Sequence, residues 1–155
     1  MTASIEIRAV EAGDEPRWRE LFRAYRDFYR LEPDEEVVDR VWSWLRDPAS
    51  AVEGLVAVAD AGGATRVIGF AHHRAFPRPS AGVVGTYLDD LYVDPDHRGA
   101  GAARALITRL AQDAAEAGRP LVRWITAEDN TRARALYDSV AAPTPWVTYD
   151  LRTGA

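Results

Sequence analysis

An α/β or α+β architecture, a sheet with helices packed on its faces in the order β-α-α-β-β-β-α-β-α-β, is what this sequence predicts, and three observations carry it. Apolar residues recur at helical spacing in four stretches, and short apolar or alternating runs stand between them, bounded by Gly, Pro and Asp. With 155 residues, 47% apolar and 10% aromatic, residues 1–155 are read as one domain able to bury a core.

The elements follow in order. Ile5 to Val10 alternates as a strand, and Asp14-Glu-Pro16 opens a helix, because proline's fixed φ and missing N–H suit the first turn. Trp18, Leu21, Phe22, Tyr25, Phe28 and Tyr29 form its apolar stripe, bounded by Pro33. A second stripe, Val37, Val38, Val41, Trp42 and Leu45, stops at Asp47-Pro48, since the residue before proline is pushed out of the α region. Leu55–Ala59 and Val67–Ala71 read as a hairpin closed through Gly62-Gly63, with a loop at Pro77, Pro79 and Gly82 before the strand around Tyr87 to Val93. Ala103, Leu106, Ile107, Leu110, Ala111 and Ala114 repeat as one helix face, ended by Gly118 and Pro120. Leu121–Ala127 is expected as a strand, Thr131–Val140 as a helix, and Trp146–Leu151 as a last strand.

Charge and composition narrow the chemistry. A net charge of -5, with 24 acidic against 19 basic residues, disfavours a nucleic-acid partner and suits a cationic substrate. Zero cysteines exclude a disulfide framework, a thiolate-held metal and an acyl-enzyme thioester; no metal is expected. The charged start and the lack of a membrane-length apolar run lead to the expectation of a cytoplasmic protein without a membrane partner.

The junction Arg98-Gly99-Ala100-Gly101-Ala102-Ala103 lies between a strand and a helix. Small side chains let the backbone approach an anion, and the helix start aims N–H groups and a positive dipole end at it. A plain glycine-rich turn is the bland alternative. A dinucleotide fingerprint is the other, but Arg104 stands where its third glycine belongs.

With Asn130-Thr-Arg-Ala133-Arg-Ala-Leu136-Tyr137 added, the chain resembles the GNAT superfamily of acetyl-coenzyme A-dependent N-acetyltransferases over about residues 5 to 151. Arg98, Gly101 and Ala103 match its Arg/Gln-x-x-Gly-x-Gly/Ala signature, and Asn130, Ala133, Leu136 and Tyr137 its Asn-x-x-Ala-x-x-Leu-Tyr signature. Leu88-Asp-Asp-Leu-Tyr-Val and Trp124-Ile-Thr-Ala-Glu-Asp-Asn are similar to the branch of yeast histone and polyamine acetyltransferases and diamine acetyltransferases. The chain departs from the family at Ala141-Ala142-Pro143, where a glycine and an aromatic are usual, and at Asp89, often Glu in the diamine enzymes.

The resemblance implies a mixed central sheet with helices on both faces. It also implies acetyl-CoA as co-substrate, a primary amine (polyamine, small amine or lysine-like) as acceptor, and direct attack in a ternary complex. Cofactor contacts fall on Leu91, Tyr92, Val93, Arg98, Gly99, Ala100, Gly101, Ala102, Ala103, Asn130, Ala133 and Tyr137. Tyr137 becomes the proton donor, against a packing role beside Ala133 and Leu136; Asn130 bonds the cofactor, caps its helix, or does both. Asp89 or an ordered water relay is the base, and a bulge near Asp89 and Asp90 would aim the strand's edge groups. Being adjacent on a strand, the two carboxylates are expected to face opposite sides, so only one looks into the cleft. Tyr25, Tyr29, Glu32 and Asp89 form the acceptor wall, where aromatics and carboxylates suit a cation; the alternative for Tyr25, Tyr29 and Glu32 is a helix core stripe beside a solvated acidic turn. His72 and His73 are read mainly as packing or surface residues. A non-catalytic acetyl-CoA sensor is the alternative function, and a homodimer pairing through Trp146–Leu151 is expected from the family.

Overall fold

The computed structural model describes residues 4–155. The elements are β1 (Ile5–Ala9), α1 (Glu15–Phe28), α2 (Glu35–Arg46), β2 (Val52–Ala61), β3 (Ala64–Arg78), β4 (Val83–Val93), α3 (Ala102–Glu116), β5 (Val122–Arg123) and α4 (Thr131–Val140). They divide into two compact units, Met1–Trp124 and Ile125–Ala155.

The first unit is one five-stranded sheet in the order β1-β2-β3-β4-β5, antiparallel except for the β4–β5 pair. Val56, Val58, Phe70 and Tyr92 join Trp18, Leu21, Phe22, Val38 and Trp42 of α1 and α2 in one buried cluster. Leu55, Ala57 and Ala59 alternate to the other face and are also buried, and there α3 supplies Leu106, Ile107, Leu110 and Ala114. The mixed sheet covered on both faces is therefore present.

Local chemistry explains the boundaries. The Asp34 carboxylate accepts from the N–H groups of Glu36 and Val37 and starts α2, and Asp47 before Pro48 is extended and ends it. Gly62 (φ 68°) and Gly63 (φ 90°) form the two-residue turn with positive φ at both positions that matches strand twist, so the β2–β3 hairpin closes where the sequence places it. At the end of α3, Gly118 at φ 72° lets Gly118 N–H reach Ala115 O and Arg119 N–H reach Ala114 O.

Five expectations are corrected. The hairpin strands are much longer than expected, and Pro77 is not loop but pairs with Val84 in the β3–β4 ladder. Tyr29 lies just past α1, which ends at Phe28 ahead of Arg30 in left-handed conformation (φ 55°). Instead of Leu121–Ala127, only Val122–Arg123 pairs, against Thr86 and Tyr87. In the second unit α4 occupies the expected residues, but Trp146–Leu151 forms no strand. Trp146, Val147, Tyr149 and Leu151 are 74–91% exposed, since alternation marks a surface that wants a partner strand without supplying one.

Candidate functional site

β4 carries the site because it changes character along its length. From Thr86 to Tyr87 it pairs on both edges, with β3 and β5. Beyond Tyr87 no described strand pairs with its β5-side edge, so Leu91, Tyr92 and Val93 are laddered to β3 alone. Such an edge can bond an extended, amide-bearing molecule.

A bulge stands at the start of this one-sided stretch. His72 is opposite Asp90 and His73 opposite Leu88, which leaves Asp89 as the extra residue. The bulge was expected near this point, but its consequence overturns the simple alternation. Asp90 Oδ2 accepts from His72 Nδ1 at 2.8 Å, and Asp89 accepts from Arg74 Nε at 3.0 Å. His72 and Arg74 are two residues apart on β3 and share a face, so both carboxylates are drawn to partners on one side of the sheet.

Their environments differ. Asp89 is shifted upward from the ordinary carboxylate value chiefly by burial, which the charge and hydrogen bond of Arg74 only partly offset. For Asp90, burial also pushes upward, but hydrogen bonds from His72 and Tyr25 outweigh it and hold the carboxyl below its usual value. Two neighbouring carboxyls pushed apart in this way suit different tasks, a proton acceptor and a fixed anion.

Behind Asp90 lies a network that the sequence reading missed. Trp18 Nε1 donates to His72 Nε2 at 3.0 Å, His72 to Asp90, and the Tyr25 hydroxyl to Asp90 Oδ1 at 2.7 Å. Trp18 and His72 are buried, and the His72 ring stacks on Phe70 with centroids 4.6 Å apart. The signal available in the sequence was the pair His72-His73 opposite Asp89-Asp90; what it lacked was the register. Tyr25 therefore offers a cation its ring more than its hydroxyl, with the Tyr29 ring 4.9 Å away and Tyr92 at 6.1 Å. Glu32 is exposed in the turn between α1 and α2, its carbonyl accepting from Arg26.

Downstream of Val93 the chain makes a short 3-10 turn, Pro95–His97, and enters α3 through two left-handed glycines, Gly99 (φ 84°) and Gly101 (φ 89°). A Cβ at either would meet nothing within 4 Å, so glycine is needed there for conformation and not to relieve a clash. Gly101 is the helix N-cap and supplies no side-chain cap, and the first intrahelical bond is Ala105 N–H to Gly101 O at 2.9 Å. The amides of Ala102 and Ala103 thus have no acceptor in the helix, the condition an anion at a helix start exploits. Arg98 lies back on the strand, its Nε donating to Val93 O at 3.2 Å and its guanidinium 5.5 Å from the Tyr92 ring centre. These features fit a diphosphate-bearing carrier with an amide-rich arm. Among the described residues no group of three or more His, Asp or Glu is placed to hold a metal, and no helix is long and apolar enough to cross a membrane.

In the second unit, Asn130 precedes α4 without a side-chain cap bond, and its Nδ2 donates to Thr126 Oγ1 at 3.3 Å. Of its two expected roles, the cap is not formed. Ala133, Leu136 and Tyr137 share the half-buried face of α4, while Val140, expected beside them, is exposed.

Comparison with known proteins bears on this geometry. Residues 18–141 match the acetyltransferase (GNAT) family. The chain is 33% identical to the D-amino-acid N-acetyltransferase HPA3 of Saccharomyces cerevisiae, over 94% of this chain and 89% of that protein, which supports the yeast branch. A crystal structure of ribosomal-protein-alanine N-acetyltransferase from Brucella melitensis biovar Abortus 2308 superposes with a TM-score of 0.78 at 27% identity, covering 96% of this chain and 99% of that one. The aminoglycoside N-acetyltransferase AAC(6')-Iy, solved in complex with CoA, shares the fold at 20% identity and a TM-score of 0.78, over 99% and 97% of the two chains. By sequence match and by fold alike, this chain belongs to the GNAT family and is an acetyltransferase enzyme.

Proposed function

We propose that residues 1–155 act as one acetyl-CoA-dependent N-acetyltransferase domain that moves an acetyl group to a small primary amine in a ternary complex. The observation that carries this reading is the uncapped glycine turn into α3. The amides of residues 99–103 would hold the diphosphate with Arg98, and the free edge of Leu91–Val93 would pair with the amide-bearing arm. Bound there, the carrier supplies an acetyl group activated as a thioester.

The chain's own residues then have distinct tasks. Asp89 takes the proton that the acceptor nitrogen loses as it bonds the acetyl carbon, and its upward shift from burial suits it to that role better than an ordinary carboxylate. As the carbon–sulfur bond breaks, Tyr137 donates a proton to the departing sulfur; this role comes from the family resemblance. N-acetyl amine and free coenzyme A are the products. Aromatic rings at Tyr25 and Tyr29 with Glu32 favour a cationic acceptor, and the protein is read as cytoplasmic and able to self-associate.

Released thiol, followed colorimetrically with a panel of polyamines, amino acids, aminoglycosides and lysine peptides, tests the proposal against no background from the cysteine-free chain. Turnover of at least one amine is expected, and Tyr137→Phe should lower kcat about 10- to 1000-fold with little change in cofactor affinity. Tight coenzyme A binding with no thiol release on any amine would instead make the chain a sensor.

A further inference from the structure

We propose that His72 is a positioning residue for acetyl transfer: held in a single tautomer by Trp18, it fixes the Asp90 carboxylate as the anionic anchor for the acceptor's cationic group. The inference rests on the reading of the chain as an amine acetyltransferase and adds to it the carboxylate that binds the acceptor beside the one that takes its proton.

The argument starts from donor inventory. An indole N–H can only donate, so its bond to His72 Nε2 makes that nitrogen the acceptor and leaves the ring proton on Nδ1, where it points to Asp90. His72 is 1% exposed and sits among Phe70, Phe22 and Trp18, with centroids at 4.6, 5.3 and 5.8 Å, so the ring has no room to turn. With Nε2 already bonded and buried, His72 does not pass protons to solvent. It can only hold.

What it holds is reachable. The Asp90 side chain is 27% exposed against 2% for His72, and each carboxylate oxygen has one structural donor, His72 on Oδ2 and Tyr25 on Oδ1. A carboxylate has about four acceptor positions, so two donors leave capacity for an ammonium. The ionisable groups facing Asp90 are His72 from β3, Tyr25 from α1, and the neighbouring Asp89 with its partner Arg74. Asp90 is thus kept charged while Asp89, one residue away at the bulge, is biased toward taking a proton.

The test compares His72→Leu with His72→Asn in the thiol-release assay, using the best amine of the panel. Asn places an amide N–H near the position of Nδ1 and keeps the bond to Asp90, whereas Leu removes it. His72→Leu should raise KM for the amine about 10- to 100-fold while KM for acetyl-CoA stays within about twofold. In the same variant the acid limb of kcat/KM for the amine should move to higher pH, since Asp90 has lost a donor that stabilises its anion. Asn should restore most of both. Tyr25→Phe, which leaves the half-buried ring in place, should shift the same two quantities in the same direction and serves if His72→Leu does not fold. Equal losses in Leu and Asn, or a lowered melting temperature with unchanged KM and pH profile in His72→Leu and Tyr25→Phe, would overturn the proposal alone. A wild-type protein silent on every amine would overturn it together with the proposed function.

Discussion

The bulge at Asp89 and the glycine turn before α3 both present polar groups at the end of β4, yet they are built from opposite materials. At the bulge the polar atoms are side chains tied to other elements: Asp90 to His72 and Tyr25, Asp89 to Arg74. At the turn they are main-chain amides, and the side chains there have been reduced to hydrogen or methyl. Side-chain partners tune protonation, so the bulge can divide its two carboxylates into one shifted up and one shifted down. Amides do not titrate; they offer the same partial charge at every pH, which suits a carrier common to all acceptors.

The sharpest way to break this contrast is at its titrating half. Asp89→Asn should lower kcat about 100- to 10,000-fold while the KM for acetyl-CoA stays near its original value, because only the proton acceptor is lost. Steady-state kinetics in both substrates decides it. An unchanged kcat would transfer the proton to a water relay and leave Asp89 as an Arg74 partner only.

The amide half should fail in the other kinetic constant. Gly101→Val forces a branched residue to φ 89°, which strains the turn that leads into α3. About 1–3 kcal/mol of strain corresponds to roughly 5- to 150-fold, expected as a rise in KM for acetyl-CoA with kcat nearly retained. A normal KM in that variant would remove the turn from cofactor binding. Gly99→Ala separates conformation from access: its Cβ meets nothing, so the φ of 84° alone should cost about 1–2 kcal/mol of unfolding free energy, read by denaturant titration.

The same contrast explains how much of the molecule the sequence disclosed. The glycine turn was legible because its requirement is local: small residues between a strand and a helix restrict φ whatever surrounds them. Likewise Pro48 ending α2 and Gly62-Gly63 closing the hairpin are decided within a few residues. The bulge's partners were not legible, since which side a carboxylate takes depends on register with β3, and a one-residue offset reverses it. His72 looked like a packing residue and does pack, but its bond to Asp90 joins residues 18 apart and Trp18's bond to it spans 54. The Trp146–Leu151 segment failed for the complementary reason: a strand needs a neighbour, and alternation cannot name one.

The smallest expected effect is the finest test of the bulge. Arg74 is 39% exposed in its side chain, bonds Asp89 through Nε and lies 4.7 Å from the Tyr87 ring centre. Arg74→Met removes the main cation that opposes the burial of Asp89, so the carboxyl should rise further above its ordinary value and the acid limb of kcat should move to higher pH. The sign for stability follows from the same shift. A carboxyl raised in the folded state binds more protons there than in the unfolded chain, so the variant loses stability as pH climbs through the raised value, by about 0–1 kcal/mol for so exposed a pair. Below the unfolded carboxylate range both states are protonated and the gap from the wild type closes. Melting curves of the two proteins from acid to neutral pH should therefore converge at the acid end; curves that stay parallel would mean that Arg74 acts through its stacking on Tyr87 and that burial alone sets Asp89.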